Sequence, residues 1–361
     1  MPVRSTIRLL IVRLGAMGDI LHGLPAVTAL RQMHPSWEID WLIEPRWQAL
    51  LRAESRPEPE TGVDAQSQPI VDQIHTASTK QWRKRERWRE TLGEIGSLRS
   101  ELKDSEYDVV VDLQGGLRSA ILGRMATSRR LIGSATPREK GADWLYNDCV
   151  ATHSAHVIDQ AVELIASIAG DELQAVAPAL PRDSAAEAWA EELFSNLKGP
   201  AVLLNPGAGW GAKRWPIERY AAVAEDLCRR GCEILINTGP GEEKLAQTIR
   251  QNCGENARAL NCSLGQLIAV TRRISLAIAG DTGPLHLACA LQKPVVAIFG
   301  PTDPARNGPY GSPFRVLRSP ISKKDHRRLS ETEAGLLTIA PEAVLHAATD
   351  LLYPETVSEE S

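Results

Sequence analysis

Two short stretches hold the residues best suited to chemistry. Gly280-Asp281-Thr282-Gly283-Pro284-Leu285-His286-Leu287-Ala288 brings an acid, a hydroxyl and an imidazole close together, between an apolar run and the start of an apolar helical pattern. A strand feeding a glycine-containing turn and then a helix points free backbone N–H groups and the positive end of a helix dipole at one place, which suits a diphosphate. Asp281 or Thr282 serves equally well as a plain helix cap. His286 fits either a phosphate donor or an imidazole bonded to backbone. The second stretch is Gly15-Ala16-Met17-Gly18-Asp19, after an apolar run over 7–14 and before a helical pattern with Leu21, Leu24, Val27 and Leu30 on its apolar side. Its Gly-x-x-Gly spacing is not the G-x-G-x-x-G dinucleotide fingerprint, although Glu44 ends the next strand where a ribose-holding acid would sit. A nicotinamide or flavin site is therefore disfavoured. Asp19 reads as an N-terminal cap or as a general base.

Such turns need a parallel sheet behind them, and the sequence supplies the rhythm for two. Strands are expected over 7–14, 39–43 and 107–112, with a helix over 19–33. Residues 52–69, rich in Pro, Glu, Gln, Ser and Asp, read as a surface loop. Residues 171–200, with four Pro or Gly around an amphipathic helix over 185–197, read as the linker. Strands then follow over 201–205, 233–237, 275–279 and 294–299, separated by helices over 216–230, 241–252, 264–272 and 284–291. Ligands bind beyond the carboxyl ends of parallel strands, so the turns at Asn205, Asn237, Asp281 and Gly300 should share one rim. The expected domains are 1–180 and 181–340, followed by a helix over 341–352 and an acidic tail within 341–361.

Composition narrows the function. A chain of 361 residues exceeds what one core usually holds. A formal net charge of −4 disfavours a nucleic-acid partner bound through overall positive charge. There is no run as long as a membrane span, and residues 1–6 are wrongly flanked for a signal peptide, so a cytoplasmic location is expected. The six cysteines form no C-x-x-C pair, which fits reduced thiols; Cys228 and Cys232, read as one helical turn apart, suit packing better than a metal.

Two α/β Rossmann-like halves facing a cleft without a dinucleotide fingerprint describe the GT-B arrangement of nucleotide-sugar glycosyltransferases. The chain resembles glycosyltransferase family 9 in IVRLGAMGDILHGLPAVTAL, QWRKRERWRE, YDVVVDLQGGLRSA, KRWPIERY and AGDTGPLHLACALQKPVVAIFGPTDPARNGPYG, which occur in that order. The first and last are strong family signals. The basic-tryptophan segment and Gln114 point to the branch that places heptose on a 3-deoxy-manno-oct-2-ulosonic acid (Kdo) residue. Where that branch carries paired threonines ahead of its lysine, this chain has Gly207-Ala208-Gly209-Trp210.

The resemblance implies an inverting transfer of heptose from ADP-heptose to Kdo-lipid A, needing neither metal nor cofactor. It implies that Asp19 is the base, that Lys213 meets the diphosphate, and that Thr282, Gly283 and the amides after them complete the cradle. Asp281 would lie near the heptose hydroxyls, His286 near phosphate, and Glu242 or Glu243 at the ribose. The acceptor is anionic. Trp82 to Arg89 holds five cations and two tryptophans in eight residues, a pattern that fits a solvated helix face or an anion site. Arg83, Lys84, Arg87, Gln114, Arg118 and Arg138 are the acceptor-side candidates, with transient contact expected at the cytoplasmic face of the inner membrane. Another family member that extends the first heptose, and a silent nucleotide-sugar-binding module, are the rival readings.

Overall fold

The computed structural model describes residues 6–55, 69–126, 128–170, 172–325, 327 and 329–354. Most of the loop read over 52–69, and the tail after residue 354, lie outside the described residues. The chain divides into two compact units, Met1–Pro181 and Arg182–Ser361.

The first unit runs β1 (Arg8–Val12), α1 (Met17–Met33), β2 (Glu38–Ile43), β3 (Gln73–Thr76), α2 (Trp88–Asp104), β4 (Val109–Asp112), α3 (Leu117–Met125), β5 (Arg130–Ser134), β6 (Asp148–Val150) and α4 (Val157–Ala169). Its six strands are parallel in the order β3-β2-β1-β4-β5-β6. Leu9, Leu10, Ile11 and Val12 of the central strand are fully buried, because helices cover both faces of the sheet; hence the unbroken apolar run rather than an alternation. α1 packs against α4 and presses close to the sheet at Gly23, where a methyl would lie 3.3 Å from Leu113 and 3.5 Å from Trp41. α4 stops at Gly170, whose left-handed conformation ends a helix at little steric cost.

The second unit runs α5 (Ser184–Ser195), β7 (Ala201–Asn205), α6 (Ile217–Arg229), β8 (Glu233–Asn237), α7 (Glu243–Cys253), β9 (Ala257–Leu260), α8 (Leu264–Arg273), β10 (Leu276–Gly280), α9 (Gly283–Ala290), β11 (Val295–Phe299), α10 (Pro304–Asn307), β12 (Phe314–Arg318) and α11 (Pro341–Leu352). Its six parallel strands are ordered β12-β11-β10-β7-β8-β9. Counted from the first strand of each unit, both sheets have the 3-2-1-4-5-6 order of a doubly wound fold, so each half is Rossmann-like as a GT-B chain requires. The direction of winding reverses between β1 and β4 in one sheet and between β7 and β10 in the other.

Some elements differ from the sequence reading. α5, read as part of a linker, packs on α8 in the second unit. α11, set apart in the sequence reading, packs on α6 and on β10, β11 and β12, where Val344 and Ala348 join the core. α6 ends at Arg229, so Cys232 lies beyond it on the way into β8 and does not share a helix face with Cys228.

Candidate functional site

In the second unit the charged residues gather where the winding reverses. The loop after β7 carries Lys213, and the turn after β10 carries Asp281. Lys213 Nζ lies 2.6 Å from Asp281 Oδ2, donates to the Asp281 carbonyl at 3.2 Å, and sits 4.6 Å from the centre of the Trp210 ring. The other carboxylate oxygen of Asp281 is 3.0 Å from His286 Nε2, one turn into α9. Burial by itself would push the Asp281 carboxyl up, but His286 and then Lys213 outweigh it and hold the group well below the usual carboxylate range. Asn237 Nδ2 donates to Asn205 Oδ1 at 2.7 Å, and Asn205 Nδ2 donates to Thr282 Oγ1 at 3.2 Å. Three strand ends are thus tied by side chains into one rim.

The two glutamates behave differently. Glu242 turns inward: its carboxylate accepts the Gly239 N–H at 3.0 Å, pairs with Arg214 at 2.8 Å and covers Gly207, where a methyl would lie 2.0 Å from Oε2. Arg214 also donates to the Ala208 carbonyl at 2.9 Å, so the glycine-rich loop is clamped from both sides. Glu243 is solvent-exposed and accepts from Gly241 N–H at 2.9 Å, which lowers its carboxyl pKa.

The cradle expected at the α9 N-terminus is smaller than the sequence reading made it. Thr282 is the N-cap, Pro284 has no N–H, and the N–H groups of Leu285 and His286 both point to the Thr282 carbonyl. The amides after Gly283 are therefore engaged within the helix, which leaves the lysine and the rim side chains to supply most of the polarity.

In the first unit the Asp19 loop also lies where the winding reverses. Asp19 is the third residue of α1, and its Oδ2 accepts from Ala16 N–H at 3.0 Å, so it caps the helix from inside rather than as the N-cap. Arg13 approaches its Oδ1 at 3.4 Å and Arg138 its Oδ2 at 3.6 Å; the side chain is one-third exposed. Gln114, beyond β4, accepts from the N–H of Leu14 at 3.1 Å and of Gly15 at 3.4 Å and so holds the loop in place. Behind it, buried Asp112 accepts from Gln114 and Gly115 N–H, Ser119 and Tyr146; burial pushes its carboxyl up against those four donors. Arg118 reaches Thr79 at 3.4 Å, which in turn donates to buried Glu44 at 2.7 Å. Glu44 also pairs with Arg46 at 2.7 Å, so this acid holds protein groups on both oxygens.

The basic-tryptophan segment is not one helical face. Short turns at Gln81–Arg83 and Arg85–Arg87 precede α2, which begins only at Trp88. Arg87 pairs with Glu90 and Glu94 and also donates to Gln81, so its charge is already balanced. Arg83 and Lys84 form no ion pair among the described residues. Trp88, under the Arg89 guanidinium at 5.1 Å, is more than half exposed.

The sequence model for glycosyltransferase family 9 (heptosyltransferase) matches residues 95–336, two-thirds of the chain. The chain belongs to glycosyltransferase family 9. It is 29% identical to lipopolysaccharide heptosyltransferase 1 of Pseudomonas aeruginosa over 319 residues, 84% of this chain and 81% of that one. The solved structure of E. coli heptosyltransferase WaaC with ADP superposes with a TM-score of 0.73 at 26% identity, covering 96% of this chain and all of that one. E. coli ADP-heptose lipopolysaccharide heptosyltransferase II gives the same TM-score, 0.73, at 20% identity over 96% of this chain and 98% of that one, so the fold does not separate the two kinds.

Within this family 9 enzyme, Lys213, Asp281, Thr282, Gly283 and His286 come together, with Glu242 on the neighbouring loop and Glu243 turned away. Asp19, Gln114 and Arg138 form the corresponding group in the first unit. Arg13 was missed by the sequence reading. Its signal is slight: an arginine closing an apolar strand just ahead of a glycine turn. Its guanidinium bonds the Asp19 carbonyl at 3.1 Å and the Leu113 carbonyl, so it joins both loops of the site. Asn205, Asn237 and Arg214 carry no local signal beyond a turn or a basic pair, since their partners lie on other strands and loops.

Proposed function

We propose that this enzyme transfers L-glycero-D-manno-heptose from ADP-heptose to the Kdo of Kdo-lipid A, with inversion at the anomeric carbon. The observation that carries the reading is that each half keeps its reactive charges at its own winding reversal: a carboxylate on one helix N-terminus, and a lysine cluster beside another. A direct displacement needs those two things, a base for the acceptor hydroxyl and a cation for the departing diphosphate. Asp19 takes the hydroxyl proton as the new carbon–oxygen bond forms. The old bond to the diphosphate breaks, and ADP leaves with the electron pair. Lys213 meets the charge that develops, and Asp281 and His286 keep its ammonium in register until the donor arrives. Glu242 suits the ribose better than Glu243, since it alone of the two lies against the glycine-rich loop. Lys213 supplies the positive charge without a metal, so EDTA is expected to leave the rate intact.

Arg83 and Lys84, with Arg118 and Arg138, favour the strongly anionic Kdo acceptor over the first heptose. The likeness to proteins named heptosyltransferase 1 supports the same choice. The acceptor is lipid-anchored, so the enzyme would work in the cytoplasm at the inner membrane surface. The test is to offer purified protein ADP-heptose with Kdo-lipid A and, separately, with an already heptosylated acceptor, and to weigh the products. A product only from the second acceptor would make this a heptosyltransferase II; none from either would favour the binding module.

A further inference from the structure

Leu117 and Ile121 stand one turn apart on α3 and are 41% and 50% exposed, and Trp144, between β5 and β6, is 86% exposed. Leu117 and Trp144 are neighbours across Gly141, where a methyl would lie 3.7 Å from Leu117 Cδ2 and 4.0 Å from Trp144 Cε3. Arg118, Arg124, Arg138 and Lys140, from the same helix and loop, are all exposed. The acids of this stretch face backbone: Glu139 accepts from Leu117 N–H at 3.0 Å and Asp143 from Gly141 N–H at 3.1 Å. An apolar face with an indole at its edge and guanidinium groups around it matches the boundary between acyl chains and anionic headgroups. The face also adjoins the site. α3 begins at Leu117, three residues after Gln114, which holds the Asp19 loop, and Arg138 reaches Asp19 itself.

We propose that the Leu117–Ile121–Trp144 face docks on an anionic phospholipid surface and so presents the Asp19 loop to an acceptor that stays anchored in the bilayer. This rests on the lipid-linked acceptor proposed above. The basic-tryptophan segment before α2 would then hold acceptor charges rather than the membrane.

The experiment is co-sedimentation of the full chain with phosphatidylethanolamine–phosphatidylglycerol vesicles and with phosphatidylcholine vesicles. Turnover is measured in parallel on a deacylated, water-soluble Kdo acceptor. Wild type should prefer the anionic vesicles by roughly tenfold or more, and the preference should shrink with salt. Combined Leu117→Ser, Ile121→Ser and Trp144→Ser should cut vesicle binding by roughly tenfold or more while sparing turnover on the soluble acceptor. Arg124→Glu with Lys140→Glu, which leaves the apolar residues in place, should lower anionic binding alone. The proposal is overturned if wild type ignores vesicles, or if the serine variant binds them as well as wild type does. It is overturned equally if wild type is a dimer that the serine variant dissociates, for then the face belongs to a second copy. Absence of turnover on the soluble acceptor by wild type would sink the acceptor reading instead, whatever the vesicles show.

Discussion

Lys213→Ala and Asp281→Asn, made singly and together, test whether the lysine is held for the diphosphate by its acid. At 2.6 Å the pair attracts by ~6 kcal/mol if the effective dielectric constant is about 20. The side chains are only 15% and 6% exposed, so desolvation opposes most of that attraction, and a coupling free energy of about 2–3 kcal/mol is expected. Lys213→Ala strands a buried carboxylate with His286 alone and should cost about 3 kcal/mol or more in urea unfolding. Asp281→Asn should cost less, since the lysine keeps the Trp210 ring and some solvent, and the double variant should cost less than the sum. The Asp281 carboxyl contributes its full stabilisation above the unfolded carboxylate value of about 3.9 and loses it as pH falls toward the depressed folded value. Without Lys213 that folded value rises, so acid unfolding should begin at higher pH. In calorimetric titrations Lys213→Ala should weaken ADP binding by about tenfold or more, having lost a cation and bared an anion. Asp281→Asn should bind ADP at least as well as wild type and yet turn over more slowly. Additive stabilities, or wild-type ADP affinity in Lys213→Ala, would refute the reasoning.

Asp19→Asn keeps an oxygen for the Ala16 N–H, so it should fold and bind ADP-heptose normally while turnover falls by roughly two or more decades; wild-type turnover would remove Asp19 as the base. Neutralising Arg83 and Lys84 should raise the KM for Kdo-lipid A and flatten its salt dependence without moving donor affinity, as steady-state kinetics over a salt series will show. Arg87→Ala, which breaks contacts to Glu90 and Glu94, should instead loosen the start of α2, read as faster hydrogen exchange there with little change in KM. Buried His75 lies 2.7 Å from Glu101 and 2.6 Å from the Tyr107 hydroxyl, which donates to Asp40 at 2.6 Å. Burial lowers its pKa, but Asp40 and Glu101 together prevail and raise it. Its stabilisation is therefore complete below the unfolded value of about 6.5 and fades as pH climbs through the raised folded value. His75→Gln should abolish that alkaline loss in urea midpoints measured across the range.

The sequence by itself determined the central strands, because a strand buried on both faces must be apolar throughout; β1, β4, β7, β10 and β11 read plainly for that reason. It also showed the two glycine turns and their charged residues, since a strand-to-helix junction restricts which residue types fit. The edge strands escaped, and so did β5. β3, β6, β9 and β12 carry polar or half-exposed residues, because an edge has one neighbour and little to bury, while β5 is interior but opens on Arg130 and holds only Leu131, Ile132 and Gly133 as a buried apolar core between polar ends. Whether Asp19 was a cap or a free carboxylate could not be read locally; it caps from the third helical position while two arginines, one of them 119 residues distant, approach it. Tertiary structure alone decided what meets at each site. Gln114 and Leu14 are 100 residues apart, and Lys213 and Asp281 are 68 apart, yet each pair touches because the fourth strand of each sheet returns to lie beside the first. That return brings together the ends of two strands distant in sequence, and no local spacing encodes which residues will face each other there.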